Sequence, residues 1–280
     1  LQKYLKGRLS TGGATYVRFF FGLPFAIVYL VGLNQFGGYS IPTYTHEFAV
    51  YAVIGGLSQI LATALLVALF SLRNFAVGTT YSKTETVQAA VIGLVLLGDT
   101  LSGSAVFAIV LSFFGIMLIS VSGAKLTLKD LLLGLTGRSA LLGLLAGGLF
   151  GVSAVTYRAA ALALEGEGVI IQAATTLACV LAFQTIIMTV YLKLFENGQL
   201  VAVFKSWKVA IWVGVSSMLG SAGWFTAMAM QNAAYVKAVG QIELLFSFIV
   251  TYFYFKEKIS RIEFVGTLLI AMGILVFVLY

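Results

Sequence analysis

Long apolar runs alternate with short polar interruptions along almost the whole chain. Runs of at least ~18 apolar residues read as membrane-spanning helices. The pattern predicts nine complete spans, near 11–33, 47–72, 74–98, 101–122, 139–162, 168–195, 207–230, 232–256 and 259–280. The links between them are short, and no stretch is polar enough for a soluble domain. Pro24 lies inside the first span, where a missing backbone donor should kink the helix.

The polar positions inside the runs repeat. Sliding residues 57–121 forward by 158 positions, without a gap, lays Ser58 on Ser216, Asn74 on Asn232 and Glu85 on Glu243. The same shift lays Asp99 on Glu257, Ser102 on Ser260 and Gly115 on Gly273. Apolar helices always match loosely, but carboxylates are costly in lipid and rare there, so their coincidence carries weight. A duplicated membrane unit is typical of transporters, which bind substrate between repeats.

The repeat also predicts a tenth helix. The second unit opens with a full span over 141–161, and its counterpart should precede 11–33. Only residues 1–7 stand there, resembling the last turns of such a helix. The expected fold is therefore an all-α polytopic membrane protein, a ten-helix inverted repeat of five plus five with helix 1 largely missing. A nine-helix protein is the alternative. Residues 1–124 form the first repeat, 125–138 the linker and 139–280 the second repeat. Five spans per unit is an odd number, so the second unit enters the membrane from the opposite side.

Composition excludes other classes. The 280 residues are 60% hydrophobic and only 10% charged, against about a quarter charged in soluble domains. Cys179 is the single cysteine and His46 the single histidine, which leaves no intrachain disulfide and no histidine-rich metal site. No cofactor is expected. The net charge of +7 reflects topology rather than nucleic-acid binding, because thirteen of the seventeen basic residues lie in alternate links or at the span ends bordering them. The positive-inside rule makes those links cytoplasmic, with both ends of a ten-helix chain outside. The expected location is a bacterial inner membrane, and the expected partners are the lipid bilayer and a small-molecule substrate, with the protein a monomer or weak dimer.

Two stretches carry a family resemblance. Tyr81-Ser-Lys-Thr-Glu85 through Gly98-Asp99-Thr-Leu-Ser102 to Gly115 resembles the end of an EamA-type repeat. So does Gly240-Gln-Ile-Glu243 through Lys256-Glu257-Lys-Ile-Ser260 to Gly273. Such repeats define the drug/metabolite transporter superfamily, and the chain resembles its ten-helix amino-acid exporters of the YddG type. The resemblance covers nearly the whole chain and is specific for fold rather than substrate. It implies a cavity surrounded by helices 3, 4, 8 and 9, with 1 and 6, and transport by alternating access. It also implies cytoplasmic termini, opposite to the charge count.

Ionisable groups within a span are functional hypotheses by default. Lys83 shares a face with Thr79, and Lys237 with Gln241, at i and i+4. The 158 shift maps one face onto the other, so the two would form a basic, hydrogen-bonding site for a carboxylate or phosphate. Alternatively each lysine pairs with a nearby glutamate, or Lys237 snorkels to the interface. On an ideal helix Glu85 points roughly 160° away from Lys83, and Glu243 roughly 120° away from Lys237. The two glutamates read as proton-coupling groups or as hydrogen-bonded locks between helices. Asp99 with Ser102, and Glu257 with Ser260, read as structural caps of the helices that follow.

Tyr81, Tyr157, Trp224 and Tyr235 are candidates for the rest of a substrate cavity, though any single aromatic more often packs. Gln59 is a further candidate, and Gln231 and Asn232 are weaker ones. Gly143, Gly147, Gly148 and Gly151 let a neighbouring helix come close. The leading function is secondary transport of a small polar metabolite, an amino acid or related organic acid, with export implied by the resemblance. Alternatives are a multidrug exporter of lipophilic cations and a phosphate-ester or nucleotide-sugar exchanger. No loop collects acid, base and nucleophile, so an enzyme is not expected.

Overall fold

A computed structural model describes residue 5 and residues 9–69, 75–123, 137–253 and 260–279. Among them twelve helices follow in order: α1 (Thr11–Phe36), α2 (His46–Leu69), α3 (Phe75–Ser82), α4 (Glu85–Leu97), α5 (Gly103–Gly123) and α6 (Arg138–Leu162), then α7 (Val169–Phe195), α8 (Gln199–Lys205), α9 (Trp207–Met230), α10 (Ala233–Gly240), α11 (Ile242–Phe253) and α12 (Arg261–Leu279). The described residues form no strand beyond one isolated bridge between Thr43 and Glu165.

Six helices, α1, α2, α5, α6, α7 and α9, are each long and apolar enough to cross a membrane. Large apolar side chains such as Val28, Val95, Ile186, Leu219 and Leu275 are exposed along them and along α4 and α12. That surface suits lipid, where only helices with satisfied backbones can span. The chain is an integral, multi-pass, all-α membrane protein. Helix 1 of the expected ten falls almost wholly outside the described residues, as do most of the 125–138 linker and Glu257.

Two of the nine expected spans are not single helices. Within the first, the described residues 75–98 divide into α3 and α4, and within the second, residues 232–253 divide into α10 and α11. The local cause is the same in both. At Lys83 and Thr84 the backbone tightens to bonds three residues back, Lys83 N to Thr80 O at 3.1 Å and Thr84 N to Tyr81 O at 3.1 Å. Side chains take carbonyls at the break: Ser82 Oγ donates to Thr79 O at 2.8 Å and Thr84 Oγ1 to Tyr81 O at 2.7 Å. At Gln241 the backbone bonds to Ala238 O at 3.2 Å, and its side-chain Nε2 donates to Lys237 O, also at 3.2 Å. Such side-chain bonds compete with the helical ladder and keep polar groups satisfied in lipid. α1, in contrast, runs unbroken through Pro24.

The chain divides into two compact units. The first comprises residues 1–64 and 156–230, with α1, most of α2, the end of α6, and α7 to α9. Ser10 starts α1 by accepting from Gly13 N at 2.9 Å, and donates its own hydroxyl to Glu196 at the end of α7. Tyr16, Val17, Leu177, Leu181, Met218 and Phe225 centre the core. Gly214 of α9 faces the Phe21 backbone of α1, where an added Cβ would stand 2.5 Å from a backbone carbon.

The second unit comprises residues 65–155 and 231–280. There α5 and α12 cross at Gly115 and Gly266, each facing the other's carbonyl, with Ile116, Ile270 and Ile274 packed alongside. Lipid removes the hydrophobic drive between helices, so such small-residue contacts and van der Waals packing hold them. Ser260 caps α12 as expected, and the cap is reciprocal: Glu263 N donates to Ser260 Oγ at 3.1 Å and Ser260 N to Glu263 Oε2 at 2.9 Å. Ser260→Ala should lower stability by about 1 kcal/mol, read as a fall in the unfolding temperature in detergent. An unchanged temperature would show that the cap contributes nothing.

Candidate functional site

The second unit holds both helix breaks. The glycines of α6 line the first one. Gly143 faces the Gly78 backbone of α3, Gly147 the Ser82 carbonyl, and Gly151 the Ala89 backbone of α4. Spaced four apart, they form one face, along which α3 and α4 lie at backbone distance. Gln88 of α4 adds two bonds there, its Nε2 donating to Leu144 O at 3.2 Å and to Thr84 Oγ1 at 2.6 Å.

Lys83 stands in the first break, half-buried, and its ammonium has no hydrogen bond or ion pair to any described residue. Thr79 lies one turn earlier, its carbonyl held by Ser82. Gln241 stands in the second break, 5% exposed, and its Oε1 is buried without a hydrogen-bond partner among the described residues. The 158 shift pairs Lys83 with Gln241, so the two breaks occupy matching positions in the sequence repeat.

Lys237 and Glu85 meet across helices, Nζ to Oε1 at 3.6 Å, with side chains 16% and 20% exposed. The ideal-helix angle that set Glu85 apart from the lysines compared residues on one helix. The break at Lys83 interrupts that geometry, and the contact is between α4 and α10. Glu243, its repeat counterpart, is exposed in the first turn of α11. Glu85 also opens α4, where a carboxylate complements the helix dipole.

The remaining expectations divide by unit. In the second, Tyr81 is buried among Val77, Val121 and Ala140, so it packs rather than lining open space. Tyr235 accepts from Ser102 N at 3.4 Å, and Asn232 caps α10 through Ala234 N at 2.9 Å. Ser102 Oγ caps α5 by accepting from Ala105 N at 3.1 Å. Asp99 N donates to Gly93 O at 3.2 Å, closing α4, and its carboxylate rests against Gly93. The left-handed Gly98 (φ 66°) turns the chain back and aims Asp99 at the helix behind it.

In the first unit, Gln59 and Tyr157 belong to a hydrogen-bonded cluster with Gln184. Tyr157 donates from its hydroxyl to Gln59 Oε1 at 3.0 Å, and Gln184 Nε2 donates to the same oxygen at 2.7 Å. Phe225 stacks on Tyr157 at 4.6 Å between centroids. Trp224 is its half-buried neighbour in sequence on α9.

Sequence reasoning missed Arg18, Arg158, Gln88 and Gln184 as site residues. Arg18 Nε donates to Ser217 Oγ at 3.0 Å and Arg158 Nη1 to Met228 O at 3.0 Å. Both arginines were visible as in-span charges, but neither has a partner at the 158 shift to draw attention.

Comparison with known proteins adds fold alone. No family model matches the chain, and no curated protein matches it. A solved structure described only as "Crystal structure of protein" is similar over 99% of this chain and 89% of its own, at a TM-score of 0.72 and 15% identity.

Proposed function

We propose that this protein is a secondary carrier that moves a small carboxylate-bearing metabolite, an amino acid or related organic acid, by alternating access. The observation that carries the reading is the pair of helix breaks at repeat-related positions, one of them holding Lys83, whose ammonium has no partner among the described residues. Discontinuous spanning helices in corresponding halves of a membrane protein are the usual setting of a transporter's substrate site. Lys83 supplies the charge for a carboxylate, and Gln241 the amide, with Thr79 one turn from the lysine. The resemblance to EamA-type repeats supports the same reading and adds export. The basic links would face the cytoplasm.

A lipophilic-cation exporter fits less well. It needs a carboxylate free to face its substrate, whereas Glu85 is engaged by Lys237 and Glu243 is exposed. A phosphate-ester exchanger needs more cations than the two breaks supply.

Uptake of a labelled L-amino-acid mixture into proteoliposomes tests the reading. Saturable uptake is expected, and Lys83→Gln should reduce it at least about tenfold, the loss of one charge-assisted hydrogen bond. Uptake indifferent to Lys83→Gln would remove the break from the site. The absence of saturable uptake would remove amino acids from the substrate class.

A further inference from the structure

The first unit contains an intramembrane cation that the carrier reading does not use. Arg18 lies seven residues into α1, about 10 Å along the axis from its start and farther from its end. Its contact residue, Ser217, lies ten residues into α9, also well inside that helix. Both helices therefore place the contact within the apolar span. A guanidinium stays charged, and at this depth it should find a carboxylate or a ligand. The acidic residues of this unit, Glu47, Glu165, Glu167 and Glu196, all lie at helix ends or in loops. None pairs with Arg18, whose hydrogen bond to Ser217 is its single contact of that kind among the described residues.

The neighbouring polar groups are neutral. Tyr157 lies within electrostatic reach of the guanidinium, and its hydroxyl is committed to Gln59, Gln184 and Gly55 O at 3.1 Å. Ser217 holds Nε and fixes the plane of the guanidinium. That leaves the two terminal amino groups, whose paired N–H vectors match the two oxygens of a carboxylate.

We propose that Arg18, positioned by Ser217, is a carboxylate-binding site within the first unit. One cation with neutral neighbours suits a monoanion rather than a phosphate dianion. Among the described residues no acidic side chain contacts Arg18 to recognise an ammonium group, so the site reads the carboxylate alone. Amino acids and their deaminated analogues should both bind, and amino-acid amides should not. Binding here does not depend on the carrier reading.

The test is equilibrium binding of a tritiated L-amino-acid mixture to the full chain in phosphatidylcholine nanodiscs. The competitors are the corresponding deaminated carboxylates or the corresponding amides. Saturable binding displaced by the carboxylates and untouched by the amides is expected. Arg18→Gln should weaken it about 10- to 100-fold, and Arg18→Lys less, because charge remains but the fork is lost. Should Arg18→Gln fail to fold, Ser217→Ala with an unchanged circular dichroism spectrum should still weaken binding about threefold or more. Unaltered affinity in the folded variants, displacement by amides as strong as by carboxylates, or no saturable binding would each overturn the proposal. Binding lost in Arg18→Gln but kept in Lys83→Gln would separate this site from the helix break.

Discussion

Gly143→Ala should destabilise the protein by about 3 kcal/mol, at the upper end for overpacking a tight interface. The added methyl would collide with the Gly78 carbonyl and lie 3.0 Å from the Gly78 Cα. Those atoms are backbone, so no rotamer change relieves the contact and α3 must move off α6. Gly78 has no room to yield, because a Cβ there would itself stand 2.6 Å from Ser139 O. Gly148→Ala is the control: its close neighbour is Gln88 Oε1 at 2.6 Å, the far end of a flexible side chain. Thermal unfolding in detergent should show a fall on the order of 10 °C for Gly143→Ala and a much smaller one for Gly148→Ala. Equal losses would show that close backbone approach is not what the stripe provides.

Separating Lys237 from Glu85 should have the next largest effect. Lys237→Gln leaves a partly buried carboxylate facing an amide, and Glu85→Gln leaves a lysine facing one. At 3.6 Å and partial exposure, each single change should cost about 1–2 kcal/mol, less than a fully buried pair. The double variant should recover much of the loss, since neither charge is then stranded. A double-mutant cycle of unfolding free energies should therefore give a coupling of about 1 kcal/mol. Additive losses would mean that the two groups do not interact. The same variants separate a lock from a proton relay. A relay predicts that Glu85→Gln abolishes uptake driven by a pH gradient while exchange of substrate for substrate survives; a lock predicts that both fall together.

Spans bounded by polar punctuation were legible almost to the residue, as with 207–230 for Trp207–Met230 and 168–195 for Val169–Phe195. The breaks were not, because an apolar run reports that a segment is buried or in lipid and is silent on where its hydrogen-bond ladder tightens. The usable signal was local: Ser82 and Thr84 flank Lys83, and Gln241 stands at its repeat position, all three side chains able to take backbone carbonyls. The Glu85–Lys237 contact was out of reach for another reason. Helical angles relate residues on one helix, and this pair joins two. Arg18 was legible as a charge in a span, but its significance depends on which side chains stand opposite, which no spacing reveals.

The two compact units interleave: the chain passes from one to the other inside α2, between Ala64 and Leu65, again inside α6, between Val155 and Thr156, and once more after Met230. This bears on biosynthesis. Domains usually fold as units in the order they leave the ribosome. Here the first unit lacks α9 until residue 230 has been made, and the second lacks α12 until residue 279 has been made. The early helices must therefore wait in the bilayer as individually stable, unpacked spans, with Arg18, Lys83 and Glu85 already inside it. Their apolar length makes that wait tolerable, and the late helices bring Ser217 to Arg18 and Lys237 to Glu85.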